Sequence, residues 1–223
     1  MVNSIQFKGD LKKEFNVNAI CIYNPLNHDE IMKRTKKKSK KIFTNKKQLK
    51  ILNIGRFTEQ KDQMTLLKSL NQIKETIKFE AVIIGRGKLH KELLRYILNN
   101  NLSRFVKIIN FVENPFPLLK QAELFILSSK YEGLPNVLLE ALTLKKFIIS
   151  SKCPTGPQEI LLNGKGGLLF NVGNHNQLAN KIIYYEKNKK KCLNMLKHAI
   201  KKLNRFDYQI NLKKYQNLVN SLI

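Results

Sequence analysis

Six short, uninterrupted apolar runs decide what this chain can fold into: ILNI (51–54), AVIIG (81–85), VKII (106–109), ELFIL (123–127), FIIS (147–150) and GLLF (167–170). They recur at intervals of roughly 20 to 30 residues, the length of a strand-plus-helix unit. Alternating runs would mark strands with one wet face; continuous runs mark strands covered on both faces, as in a parallel sheet. Helical patterns lie between them. Leu66, Leu67, Leu70, Ile73 and Ile77 recur at helical spacing within 62–77, and Leu89, Leu93, Leu94 and Ile97 within 89–99. Strand and helix in alternation predict an α/β fold, a Rossmann-like doubly wound parallel sheet. Right-handed crossovers put every strand C-terminus on one edge, and ligands bind there. Helical stretches near 175–187, 189–203 and 207–222 close the chain.

Residues 1–49 read differently, as a residual N-terminal or linker segment that is polar and lysine-rich. Ala19 to Tyr23 reads as a strand ended by Asn24-Pro25, and 28–48 as a short helix and a basic loop. The Rossmann-like domain then spans 50–205, and a C-terminal helix 206–223. At 223 residues the chain can bury one good-sized core. No stretch approaches the roughly 18 to 20 apolar residues that a membrane-spanning helix needs. The start, MVNSIQFKGD, has no apolar segment behind a basic one, so no secretory signal is read there. Cys21, Cys153 and Cys192 are far apart and odd in number, which suits a reducing cytosol.

The net charge of +25 is the one extreme value. Abundant Lys, Asn and Ile with scarce Ala and Gly is what an AT-rich genome produces, without functional meaning. The same charge also favours an anionic membrane surface. Specific nucleic-acid binding is not supported. The basic runs KRTKKKSKK (33–41) and KNKKK (187–191) carry no interleaved aromatics for base stacking and match no reader motif.

Four segments at the expected ligand edge could carry chemistry. After the first run, Gly55 allows a sharp turn. Arg56 and Lys61 then offer a planar fork of donors and a mobile point charge, a pairing suited to a diphosphate. Taken alone they are equally two solvated cations. Gly85-Arg86-Gly87 marks a tight turn but not a dinucleotide fingerprint. The strongest segment is SSKYEGLPNVLLEA (128–141). Pro135 suits the first position of a helix, Gly133 frees the backbone before it, and the helix N-terminus is an anion site. Glu132 and Glu140 flank this turn at a spacing of eight. Finally, CPTGPQEIL (153–161) opens another helix, which Thr155 or Gly156 would cap and whose dipole Glu159 would complement. The four Asp (10, 29, 62, 207) form no D-x-D pair, and the four His (28, 90, 175, 198) show no ligand spacing and read as surface residues.

With these residues in view, the chain from about Ile20 to Lys187 resembles the C-terminal domain of family 4 glycosyltransferases, the glycosyl transferases group 1 domain. The resemblance rests on IYNP, ILNIGRFTEQKDQ, VIIGRGKL, FVENPFPLLKQAELFILSS, YEGLPNVLLEAL, CPTGPQEIL and GKGGLLF. It implies the C-terminal, nucleotide-sugar-binding half of a GT-B fold and a retaining transfer of a hexose or N-acetylhexosamine from a UDP- or GDP-sugar. No cofactor or metal is implied. Arg56 and Lys61 match the positions that clamp the donor diphosphate. Glu132 matches the first motif Glu, which meets the donor sugar, and Glu140 the second, which binds the ribose. Gly133, Leu134, Pro135, Asn136 and Val137 fall at the donor. The NPF and CPTGP variants resemble members that build bacterial surface polysaccharides or lipid-linked glycans, which implies a cytoplasmic protein against the inner membrane.

The chain departs from the family at Leu144-Lys145-Lys146, where Gly-x-Pro is usual, and at Gln158, often Arg. It also carries almost nothing before residue 20, where the acceptor domain belongs. The chain is thus expected to work with a separate N-terminal acceptor-domain chain, or to be a non-catalytic nucleotide-sugar-binding subunit or a truncated remnant.

Overall fold

The structure, a computed structural model, describes residues 1–221. All six apolar runs become strands: β1 (Leu49–Ile54), β2 (Phe79–Ile84), β3 (Val106–Ile109), β4 (Leu124–Leu127), β5 (Phe147–Ser151) and β6 (Leu168–Phe170). They form one sheet in the order β3-β2-β1-β4-β5-β6, and every pairing is parallel. The chain builds outward from β1 to β3, then returns to lay β4 on the other side of β1. Strand order therefore reverses between β1 and β4, and a crevice opens beyond their C-terminal ends. β1 and β4 pair Ile51 with Leu124 and Leu52 with Phe125. Asn53, buried in β1, adds a side-chain bond from Nδ2 to the Ile126 carbonyl at 2.9 Å.

The helices are α1 (Ile5–Phe15), α2 (His28–Arg34), α3 (Gln63–Ile73), α4 (His90–Asn99), α5 (Phe116–Gln121), α6 (Asn136–Thr143), α7 (Pro157–Ile160), α8 (His175–Lys187), α9 (Lys189–Lys201) and α10 (Tyr208–Asn220). α3 packs against α4 and α8, and α6 against α9 and α2. α3 shows how sequence sets an element here. The Asp62 carboxylate caps it by accepting from Thr65 N at 3.2 Å, and Leu66, Leu67, Leu70 and Ile73 bury its inner face. The helix stops at Ile73, so Ile77 lies in the turn that follows.

Two expectations about the first residues of the chain change. Ala19 to Tyr23 is not a strand of the sheet: only Cys21 forms a bridge, to Val2. The segment joins neither edge strand, β3 or β6; its backbone bonds instead to Val2, with Val2 N donating to the Ile20 carbonyl and Ile22 N to the Val2 carbonyl, both at 2.9 Å. Residues 5–15, read as part of a polar segment, form α1. Ser4 caps it by accepting from Phe7 N, and Asn16 closes it in the left-handed conformation. No residue of α1 is buried. Glu159 lies in the first turn of α7, as expected, and its carboxylate also accepts from Ser4 Oγ and Ile5 N, both at 3.0 Å, and from the Tyr23 hydroxyl. The end of the expected helix 207–222 lies outside the described residues.

Residues 1–49 share the main core, which includes Tyr23, Leu26, Ile31, Ile42 and Phe43. Glu80, buried in β2, fixes the segment leading into β1. Its carboxylate accepts from Thr44 N at 2.7 Å, Asn45 N at 2.9 Å and the Thr44 hydroxyl. Burial pushes this carboxyl up, but these bonds and the Lys107 charge outweigh it and hold it below the ordinary carboxylate range. A depressed folded-state value stabilises the fold above the unfolded Glu range, and that contribution is lost as pH falls through the folded value. Glu80→Ala should therefore cost about 1–3 kcal/mol at pH 7 in urea unfolding. The gap to wild type should narrow near pH 3; a gap that stays constant with pH would contradict the assignment.

Candidate functional site

Two loops meet over the β1/β4 crevice. The first follows β1. Gly55 N donates to the Ile84 carbonyl at 3.0 Å and Phe57 N to the Arg86 carbonyl at 2.9 Å, so the loop stays pinned to β2's exit. Phe57, fully buried, anchors it. The glycine that this geometry demands is Gly85 rather than Gly55. A Cβ on Gly85 would lie 1.9 Å from the Gly55 carbonyl oxygen, whereas one on Gly55 would meet nothing nearer than 3.5 Å.

The second loop follows β4. Ser128 and Ser129 are fully buried. Ser128 Oγ donates to the Lys61 carbonyl at 2.9 Å, Lys130 N to the Gln60 carbonyl at 2.7 Å, and Gln60 Nε2 to the Tyr131 carbonyl at 3.0 Å. These bonds lace the two loops together and bring Lys61 to Glu132. Lys61 Nζ lies 2.6 Å from Glu132 Oε1, which also accepts from Ser129 Oγ at 2.6 Å. The Lys61 and Glu132 side chains are only 17% and 8% exposed, so this is a largely desolvated ion pair. An ammonium has three N–H donors, and Glu132 takes one. Arg56 is exposed, and its guanidinium donates a long hydrogen bond to Gln60 Oε1, at 3.4 Å. The two cations expected to act alike thus differ: one is paired and buried, the other open.

The Glu132 backbone is clamped to the turn before α7. Glu132 N donates to the Pro154 carbonyl at 2.7 Å, and Thr155 N donates to the Glu132 carbonyl at 2.8 Å. Thr155 does not cap α7; Gly156 takes the cap position at φ 85° and supplies no side chain. Gly133 and Asn136 are exposed, Leu134 and Pro135 buried, and Val137 half-buried. Pro135 is the residue before α6 rather than its first, with extended backbone at φ −73°, ψ 101°, and no side chain caps the helix. Asn24 Nδ2 reaches across to Asn136 Oδ1 at 3.0 Å. Glu140, one turn into α6, has its carboxyl pushed up by burial, with the Arg34 charge opposing.

A cleft of about 490 Å³ extends from Lys61 between Gly55-Arg56, Gly85-Arg86 and the loop Phe111-Val112-Glu113. Sequence reading missed Phe111 to Glu113, Ser129's bond to Glu132, and Arg34. The loop FVENP could have been found, because it follows the VKII strand at the same edge. Arg34 sits in a segment read only as basic. The arrangement places a buried cation, an open cation and a held carboxylate around one crevice, a set suited to a polar ligand that carries a diphosphate.

Residues 34–202 match the family model described as glycosyl transferases group 1. The chain is 42% identical over 111 residues to an uncharacterized glycosyltransferase of Methanocaldococcus jannaschii, covering 49% of this chain and 27% of that one. It is 32% identical over 128 residues to a Campylobacter jejuni N-acetylgalactosaminyltransferase named for a diphospho-undecaprenol-linked substrate, covering 57% of this chain and 34% of that one. The chain thus spans about a third or less of these relatives' lengths. In fold it is similar to Anabaena HepE, solved with UDP and glucose: TM-score 0.83, 20% identity, 99% of this chain and 62% of that one. It is likewise similar to S. aureus TarM, solved with UDP: TM-score 0.83, 22% identity, 98% of this chain and 43% of that one. Its Rossmann-like sheet is that of GT-B glycosyltransferases, and by its matched residues the chain belongs to the glycosyl transferases group 1 family.

Proposed function

We propose that this chain is the donor-binding, C-terminal half of a retaining family 4 glycosyltransferase. It takes a hexose or N-acetylhexosamine from a UDP- or GDP-sugar for surface-polysaccharide or lipid-linked glycan synthesis. The observation that carries this reading is the Lys61–Glu132 pair beside the open Arg56, at the crevice where strand order reverses. The relatives' names and the UDP in the neighbouring structures support it. Residues 50–205 form the donor domain, preceded by segment 1–49 and followed by helix 206–223.

Arg56 and the two remaining Lys61 donors hold the diphosphate and stabilise its charge as the sugar leaves, so the reading needs no metal or cofactor. Glu132, held by Lys61 and Ser129, faces the donor sugar together with Gly55, Gly133 and Leu134. Pro135 fixes the entrance of α6, and the Asn136 and Val137 amides approach phosphate. Glu140 accepts the ribose hydroxyls. The +25 charge supports attachment to an anionic membrane surface in the cytoplasm, and among the described residues no helix is long and apolar enough to cross a membrane.

Calorimetry with UDP and uridine tests the roles. Arg56→Ala should weaken UDP and leave uridine unchanged. Glu140→Ala should weaken both by about 1–3 kcal/mol, the cost of a lost buried hydrogen bond. Equal losses for the two ligands in Arg56→Ala would remove the diphosphate assignment.

A further inference from the structure

Glu159 has no role in the reading above. Its carboxylate nonetheless gathers three donors from one distant segment. Oε2 accepts from Ser4 Oγ and Ile5 N, both at 3.0 Å, and Oε1 accepts from the Tyr23 hydroxyl. Ser4 is fully buried and Tyr23 nearly so, which shields these charge-assisted bonds from water. The Glu159 carbonyl accepts from Arg205 Nη2 at 2.6 Å, which fixes the backbone at the same point. Complementing the dipole of the one-turn helix α7 would need none of these partners.

The chain neighbours of Ser4 and Tyr23 are Asn3 and Asn24, and both asparagines lie on the donor loop. Asn24 Nδ2 donates to Asn136 Oδ1 at 3.0 Å and to the Leu134 carbonyl at 3.4 Å, and Asn3 Nδ2 donates to Asn24 Oδ1 at 3.3 Å. The Asn3 amide lies against Gly133, 3.5 Å from where a Cβ would stand there. A second grip on the loop comes from the turn before α7. There Glu132 N donates to the Pro154 carbonyl at 2.7 Å, and Thr155 N donates to the Glu132 carbonyl at 2.8 Å. Two segments thus hold loop 132–136, and Glu159 is the side chain that joins them. A carboxylate that faces a ligand keeps its geometry only when the residues supporting it are themselves held.

We propose that Glu159 is a positioning residue for Glu132: by locking Ser4 and Tyr23 to α7, it keeps the two asparagines and the α7 turn in one register on the loop. It touches no ligand. This role rests on the donor-site reading and deepens it, because part of the control of the sugar-facing carboxylate then lies outside the cleft.

Two variants carry the test. Tyr23→Phe removes one bond and keeps the ring on Phe206, so it should stay folded; Glu159→Ala removes all three. In amide spectra of the ligand-free chain, both should shift Glu132, Gly133 and Asn136, while Gly55 and Arg56 stay in place. Tyr23→Phe decides alone if Glu159→Ala does not fold. Shifts confined to Ser4, Ile5, Tyr23 and α7 would overturn the positioning role, whatever the chain binds. In calorimetry, Glu159→Ala should weaken UDP-glucose or UDP-N-acetylglucosamine, whichever the wild type binds more tightly, by about tenfold, and UDP by less than about threefold. Glu159→Gln keeps an acceptor for Ser4 and Ile5 and should restore most of the difference. A merely structural loss would lower the urea midpoint and weaken UDP and the UDP-sugar alike, and that result would also overturn the proposal. Failure of the wild type to bind any nucleotide, with the expected spectral shifts present, would remove the donor reading and leave the tie between Glu159 and the loop standing.

Discussion

Lys61→Ala will cost both stability and diphosphate binding. The Glu132 side chain is 8% exposed and its Oε1 is held by Lys61 and Ser129. Removing the ammonium leaves a desolvated carboxylate with a hydroxyl as its remaining side-chain donor. Breaking one side of such a pair costs about 3 kcal/mol or more, chiefly because the partner charge stays behind. Urea unfolding at pH 7 should show that loss, and UDP binding should fall below detection. The double variant Lys61→Ala/Glu132→Gln separates the two effects. It removes the stranded charge, so stability should recover by more than half while UDP binding stays absent. A single variant as stable as wild type would mean that the pair is solvated; UDP binding at wild-type strength would mean that Lys61 is no part of the diphosphate site.

Gly156→Ala should be as damaging, for steric reasons. Gly156 sits at φ 85°, where a side chain is strained, and a Cβ there would lie 2.1 Å from the Gly133 carbonyl oxygen and 2.9 Å from Pro135 Cδ. The substitution must move either the turn before α7 or the loop Glu132–Pro135. Strain and overpacking together cost about 3 kcal/mol or more. Because Glu132 is clamped to this turn through Pro154 and Thr155, the carboxylate moves with the loop. Gly133→Ala is the control. A Cβ there meets only the Asn3 side chain, at 3.5 Å, so stability should stay within about 0.5 kcal/mol of wild type. Equal losses in the two variants would contradict the packing described.

The sheet was legible because β2, β4 and β5 are buried at every position, although the edge strand β3 is not, with Lys107 exposed. β2 is buried at every position from Phe79 to Ile84, and its sequence is apolar throughout except at Glu80, whose carboxylate is hydrogen-bonded by Thr44 and Asn45. α1 was not legible from periodicity, since it buries nothing; its signals are the caps Ser4 and Asn16, which do not depend on burial. The expected strand at Ala19–Tyr23 failed for a different reason. A short apolar run says that side chains are covered, and here the cover comes from contacts such as Tyr23 on Phe206, with ring centroids 4.7 Å apart. The site was legible at its strand ends, where Arg56, Lys61 and the Glu132–Glu140 segment follow apolar runs. The pairing of Lys61 with Glu132 was not, because the two are 71 residues apart and meet only through the β1/β4 crossover. Arg34 and Glu140 are likewise joined by the packing of α2 on α6 and by no local pattern.

The central claim is that the crevice between β1 and β4 holds a nucleoside diphosphate. Titration of UDP and GDP into the isotopically labelled chain, followed by amide chemical shifts, tests it most directly. The account predicts saturable shifts at Gly55, Arg56 and Lys61, and at Gly133, Asn136 and Val137, with α8 and α9 silent. A folded protein whose spectrum does not change with either nucleotide, or whose shifts gather on α8 and α9, would contradict it.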